Sequence, residues 1–235
     1  MEVLQNQTVY VITPTYSRLT QKADLVSLRS TLSNLDFIHW IVVEDAHEKT
    51  PLVTQFLAES SVPYTHLAVP SPKFITAIIR GSNQRNMGLE WLRKNKRPGR
   101  DAGVVYFADD DNTYDPRIFK EMRTTKRGST WPVGLVGGIA WEGCVTKSDD
   151  RSKIVEFWAV FRRTRKFPLD MAAFAINLKL LFLYPNAKFD YSSAGQQEGL
   201  LLAQLGFKSA LELEPKASGC TKASLDSSAD SHFHW

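Results

Sequence analysis

The chain is 235 residues long, 43% hydrophobic and 23% charged, with a formal net charge of +4. This is the composition of an ordinary soluble globular protein, with length for one good core and at most two lobes. Its basic residues are dispersed, which argues against a nucleic-acid partner, while mild basicity suits a phosphorylated or otherwise anionic small ligand.

TVYVITP at 8–14 predicts a strand stopped by Pro14. Leu25, Leu28, Leu32 and Leu35 then recur at helical spacing. HWIVVED at 39–45 predicts a second strand, PLVTQFLAES at 51–60 a short helix, and YTHLAV at 64–69 a third strand. NQRNMGLEWLRKN at 83–95 reads as a helix with a polar outer face, and GVVYFA at 103–108 as a fourth strand. Strands alternating with helices imply right-handed βαβ units and a mostly parallel sheet.

The second half is less regular. Asp115 followed by Pro116 is an N-cap with proline at the first helical position, and a helix is expected through Met122. WPVGLVGGIAWEG at 131–143 reads as strand and Gly-rich turn. The stretch 154–185 reads as an aromatic, basic strand-like piece followed by a helix beginning near Asp170. GQQEGLLLAQLG at 195–206 is a helix closed by Gly206. The Ser/Asp-rich segment 223–235 has no periodicity and is expected to be disordered. Cys144 and Cys220 could pair or stay free, and the sequon Asn6-Gln7-Thr8 matters only in a secreted or lumenal chain. No apolar run reaches the ~18 residues of a membrane span and no signal peptide is evident, so this chain alone reads as soluble.

The chemistry concentrates at strand ends. A buried strand running into Asp109, Asp110 and Asp111 is costly unless a cation joins the carboxylates, although an acidic turn capping the next helix would also account for them. In an open α/β sheet, ligands sit beyond the carboxyl ends of the strands. Asp45, TPTYSR at 13–18 and the Asp triplet all lie there. Arg80 and Arg85 flank a helix start, where a guanidinium pair can grip carboxylate or phosphate. Glu198 opens a helix, where a carboxylate is favoured by the dipole in any case. The phosphate-binding P-loop, the dinucleotide glycine fingerprint, and the zinc-protease and serine-hydrolase motifs are all absent.

PTYSR, HWIVVEDA, RGSNQRN, VVYFADDDNTY, WPVGLVGG, FPLDMAAFA and LEPKASGCT occur in one order. That order resembles the animal β-1,3-glucuronyltransferases of glycosyltransferase family 43, from Val9 to about Lys222. The resemblance implies an α/β GT-A fold, a Rossmann-like, mostly parallel sheet with a smaller acceptor-binding half. Residues 1–112 would form the UDP-sugar half, 113–222 the acceptor half with the catalytic base, and 223–235 a divergent tail. It also implies Mn²⁺-dependent, inverting transfer of glucuronic acid from UDP-glucuronate to the 3-OH of a terminal galactose, in proteoglycan-linker or glycoprotein glycan synthesis.

Carried over by motif, Pro14, Thr15, Tyr16, Asp45 and Arg85 surround uridine, and Asp110 meets the ribose. Asp111 is the metal ligand, while Arg80, Arg85 and Asp109 lie around the donor sugar and phosphates. Glu142, Arg165 and Asp170 face the acceptor, Phe161 stands where the family places an aromatic against the acceptor sugar, and Glu198 is the general base. One base suffices for an inverting displacement when a metal stabilises the leaving diphosphate. Family members lie behind an N-terminal anchor in the Golgi lumen and are often dimers. After Lys222 the family continues into a Trp-His-Thr-Arg-Thr-Glu motif, where this chain has ASLDSSADSHFHW. Two functions therefore stay open: glucuronyl transfer, and binding of UDP or a partner without turnover.

Overall fold

β-branched and aromatic runs make the central strands, because their side chains fill both faces of a buried sheet. In the computed structural model, which describes residues 7–72, 80–136, 138–161, 164–191, 195–221 and 225–226, they form the centre of a seven-stranded sheet. The first half alternates as expected: β1 (Thr8–Thr15), α1 (Gln21–Leu32), β2 (Ile38–Glu44), α2 (Pro51–Ala58), β3 (Tyr64–Ala68), α3 (Ser82–Asn95) and β4 (Gly103–Phe107). Then come β5 (Thr113–Tyr114), α4 (Pro116–Met122), β6 (Gly128–Thr130), β7 (Val133–Val136), β8 (Ile139–Thr146) and β9 (Ile154–Trp158). β10 (Phe174–Asn177), α5 (Lys179–Leu183), α6 (Gln197–Gln204), β11 (Glu214–Pro215), a kinked turn at Ala217–Cys220 and β12 (Leu225–Asp226) follow, with 3₁₀ turns at Met171–Ala173 and Ala210–Glu212.

The large sheet runs β11-β6-β10-β4-β1-β2-β3, and four of its six pairings are parallel. It takes strands from both sides of residue 112, since β6, β10 and β11 join β1–β4. A second sheet, β5-β12-β7-β8-β9, carries the hairpin of the second half. Helix α1 buries Leu25, Leu28 and Leu32 in the core, with Leu35 buried just beyond its end. The residues 225–226 of the Ser/Asp-rich tail pair with β5 and β7. The other residues of 223–235, and Asn6 of the sequon, lie outside the described residues.

Two expectations change, and one open question is settled. Strand β1 does not stop at Pro14 but continues to Thr15. Asp45 N–H donates to the Thr15 carbonyl on the β2 side, and Ala108 N–H to the Ile12 carbonyl on the β4 side. By alternation the nitrogen of Pro14 faces β4, whose pairing with β1 has ended at Ile12, so its missing N–H costs no ladder bond. The helix expected near Asp170 is a single 3₁₀ turn, Met171–Ala173, followed by β10. Asp170 does cap that turn, accepting from Ala172 N–H at 2.8 Å. The apolar run after it is captured by antiparallel pairing between β4 and β6, which outweighs helix propensity. Cys144 and Cys220, left open by the sequence, form a disulfide with 5.6 Å between their Cα atoms.

Candidate active site

Parallel β1, β2 and β4 end on the same edge, and the segment after each must turn there. Those turns and the start of α3 enclose a cavity of about 500 Å³. Pro14, Thr15 and Tyr16 come from the end of β1, Asp45 from just after β2, Asp109, Asp110 and Asp111 from the turn after β4, and Arg80 and Arg85 from the entry to α3. All nine residues expected around the donor line this one cavity. Ser17, Gly81 and Gln84 line it too; they lie in the quoted PTYSR and RGSNQRN motifs, where no role was given to them.

The three carboxylates have different surroundings. Asp110 is buried, and accepts from Thr15 Oγ1 at 2.6 Å and from both ends of the Arg18 guanidinium, at 3.0 and 2.8 Å. Burial still holds its carboxyl above the usual range, against those hydrogen bonds. Asp109 is paired with Arg85. Asp111 is exposed, and its pKa is pushed up to about 6 by desolvation and by the charges of Asp109 and Asp110. A carboxylate held among like charges and open to the cavity fits a hard cation. Among the described residues, no group of three or more His, Cys, Asp or Glu could hold a metal alone, so a cation here would draw further oxygens from its ligand and from water.

Asp45 accepts from Ser71 N–H and Ser71 Oγ, both at 2.6 Å. The loop leaving Asp45 is pinned at its far end, where Thr50 N–H and Oγ1 donate to buried Glu44 at 2.9 and 2.6 Å. Arg85 is buried, with Nη1 donating to the Arg80 carbonyl at 3.3 Å and its Nε without a partner. Gly81 makes this placement possible. Its φ of +83° suits glycine, and a Cβ there would stand 2.7 Å from Arg85 Nη1. Tyr16 is 42% exposed, with the guanidinium groups of Arg18 and Arg80 4.7 and 5.7 Å from its ring.

The five residues expected at the acceptor gather beside this cavity. Glu198 sits in the first turn of α6, and its pKa is raised to about 7. Burial is the main cause and Asp170 adds to it, while its own backbone N–H, Arg165 and Arg85 pull the other way. Asp170 is raised chiefly by burial and also by Asp109, and Glu142 chiefly by burial and also by Asp170. These mutual influences tie Glu142, Asp170, Arg165 and Glu198 electrostatically to Arg85 and Asp109. Arg165 donates to the Gly195 carbonyl at 2.7 Å and the Leu169 carbonyl at 3.2 Å, and lies 5.2 Å from the ring of Phe161. Phe161 is 48% exposed and covers Gly195, where a Cβ would approach its ring to 2.8 Å.

Arg18 and Ser71 were missed as supports for Asp110 and Asp45. Arg18 stands in the quoted PTYSR motif, but its partner lies 92 positions away, and no local pattern encodes that pairing.

A parallel-stranded edge carrying acidic and guanidinium groups around one cleft defines the class: this is a GT-A glycosyltransferase fold. S. aureus TarS, residues 1–349, superposes with a TM-score of 0.59 in its complex with UDP-GlcNAc, at 14% identity over 94% of this chain and 58% of that one. The family model for glycosyltransferase family 43 matches residues 28–225. Mouse galactosylgalactosylxylosylprotein 3-beta-glucuronosyltransferase 3 is 47% identical over 233 residues, covering 92% of this chain and 68% of that protein. The human galactosylgalactosylxylosylprotein 3-beta-glucuronosyltransferase 2 is 45% identical over 223 residues, covering 93% and 68%. The chain belongs to glycosyltransferase family 43.

Proposed function

We propose that the chain transfers glucuronic acid from UDP-glucuronate to the 3-OH of a terminal galactose, inverting to a β-1,3 linkage, with Mn²⁺ as cofactor. The observation that carries this reading is a carboxyl poised at about 7, Glu198, beside a cavity lined by the nine donor residues. In this reading Asp45 accepts from the uracil, with Tyr16 as its stacking face, and Asp110 accepts from the ribose hydroxyls. Arg80 and Arg85 hold the diphosphate and the sugar carboxylate. Asp111 would hold Mn²⁺, which when bound stabilises the negative charge growing on the leaving diphosphate.

Glu142, Asp170 and Arg165 orient the galactose against Phe161. The 3-OH oxygen attacks the anomeric carbon from the face opposite UDP as Glu198 accepts the hydroxyl proton. A base with a pKa near 7 is ionised for about half the time at neutral pH and still basic enough to take that proton. The Cys144–Cys220 disulfide supports an oxidising compartment and so a Golgi-lumenal placement. Among the described residues no helix is long and apolar enough to cross a membrane.

The test is transfer of labelled glucuronate to a galactose-terminated disaccharide with Mn²⁺ present. Product that disappears on chelation is expected. Donor binding with no product at any pH from 6 to 8 would favour the reading without turnover.

A further inference from the structure

The segment from Lys188 to Tyr191 is held on both sides by side-chain amides. Toward α3, Asn86 Oδ1 accepts from Phe189 N–H at 2.7 Å, and Asn86 Nδ2 donates to the Phe189 carbonyl at 3.0 Å and the Tyr191 hydroxyl at 3.1 Å. That hydroxyl donates in turn to Asn83 Oδ1 at 2.8 Å. Asn83 Nδ2 donates to the Pro70 carbonyl at 2.8 Å, next to the serine that holds Asp45. Toward α6, Gln204 accepts from Lys188 N–H at 3.2 Å and donates to the Lys188 carbonyl at 2.9 Å, while Gln197 donates to the Asp190 carbonyl at 3.3 Å.

The sequence positions matter as much as the bonds. Asn83 and Asn86 bracket Arg85 on α3, and Gln197 immediately precedes Glu198 on α6. The 188–191 segment is therefore a strap joining the turn that carries the donor-binding guanidinium to the turn that carries the base. We infer that Tyr191, acting with Asn83 and Asn86, is a positioning residue that sets the separation between Arg85 and Glu198. The roles of those two groups rest on the glucuronyl-transfer reading; the strap itself does not.

Replacing Tyr191 by Phe keeps the ring volume and leaves both amides one partner short, a loss felt most in partly buried surroundings. A base displaced by a fraction of an ångström from the acceptor hydroxyl loses rate steeply, whereas donor binding far from that hydroxyl does not. Tyr191→Phe in the full chain should lower kcat by about tenfold, with KM for UDP-glucuronate within about twofold of the parent. The acid limb of its pH–rate profile should move to higher pH, because Glu198 loses part of the attraction of Arg85. Amides in the first turns of α6 should exchange about tenfold faster, with those of β1 and β4 unchanged. Asn86→Ala, which removes more of the strap, should show the same pattern more strongly.

Unchanged turnover with unchanged exchange in α6 would overturn the inference, as would faster exchange spread equally over β1 and β4. A parent without turnover would overturn the transfer reading alone, and the exchange measurement would still decide the strap.

Discussion

At Glu198, burial has two consequences of opposite sign. In the proposed transfer it acts as the base and must be ionised, so turnover should rise with pH through about 7 and level off above it. As part of the fold it is a carboxyl whose pKa is raised from 4.5, so the folded state binds its proton more tightly than the unfolded one. Its contribution to stability is therefore largest at low pH and declines as pH rises from about 4.5 to about 7. Glu198→Gln should lose turnover by roughly 10²–10⁴-fold while keeping UDP affinity. The same variant should melt above the parent at pH 8, a gap that closes toward pH 5; a variant less stable than the parent at pH 8 would count against a desolvated carboxylate. Asp111 makes the companion case. Asp111→Asn relieves repulsion from Asp109 and Asp110, so it should fold at least as well as the parent, yet calorimetry should find that Mn²⁺ no longer enhances its UDP affinity. Equal UDP affinity with and without Mn²⁺ in the parent would remove Asp111 from the metal role.

Among the elements, the entry to α3 brings Arg80, Gly81, Gln84 and Arg85 to the cavity proposed for the donor. An alanine at Gly81 meets two penalties at once, a left-handed φ and a Cβ within 2.7 Å of the Arg85 guanidinium. Gly81→Ala should destabilise the fold by roughly 1 kcal/mol and weaken UDP binding about tenfold, read by thermal melts and calorimetry. A variant with parent-like affinity would show that Arg85 can shift without consequence. Donor choice belongs to the same element. Arg80 and Arg85 should favour a sugar that brings its own carboxylate, so UDP-glucuronate should outcompete UDP-glucose in displacement of bound UDP. Equal competition would move the guanidinium pair to the diphosphate alone.

For the whole molecule, the disulfide joins β8 to the turn Ala217–Cys220 across 76 positions, fastening the hairpin sheet to the chain that follows β11. Thr146 Oγ1 donates to the Gly219 carbonyl at 2.7 Å beside it. Closing a loop of that length stabilises by about 4 kcal/mol in the chain-entropy account, which for a protein of this size is a melting shift of about 10 °C. Reduction, or a Cys144→Ser, Cys220→Ser double variant, should lower the melting temperature by that order, and a shift under about 2 °C would mean the hairpin is held by its packing instead.

The alternation of strands and helices through β4 was legible because each element carries its own period: apolar runs for buried strands, and leucines at helical spacing for α1. That the residues expected around the donor would meet at one edge was legible for a related reason. Parallel strands end on one edge, so polar clusters that follow successive strands must meet there. The sequence could not announce β10, β6 or the tail pairing, because strands of two to four residues have no period and exist only where neighbours supply their hydrogen bonds. The same limit hid the Arg18–Asp110 and Asn83–Tyr191 contacts, the cysteine pairing and the raised pKa of Glu198. Residue type and spacing determined which groups could do chemistry at strand ends; burial and long-range pairing, which depend on segments about a hundred positions apart, decided which of them are charged, supported and aimed.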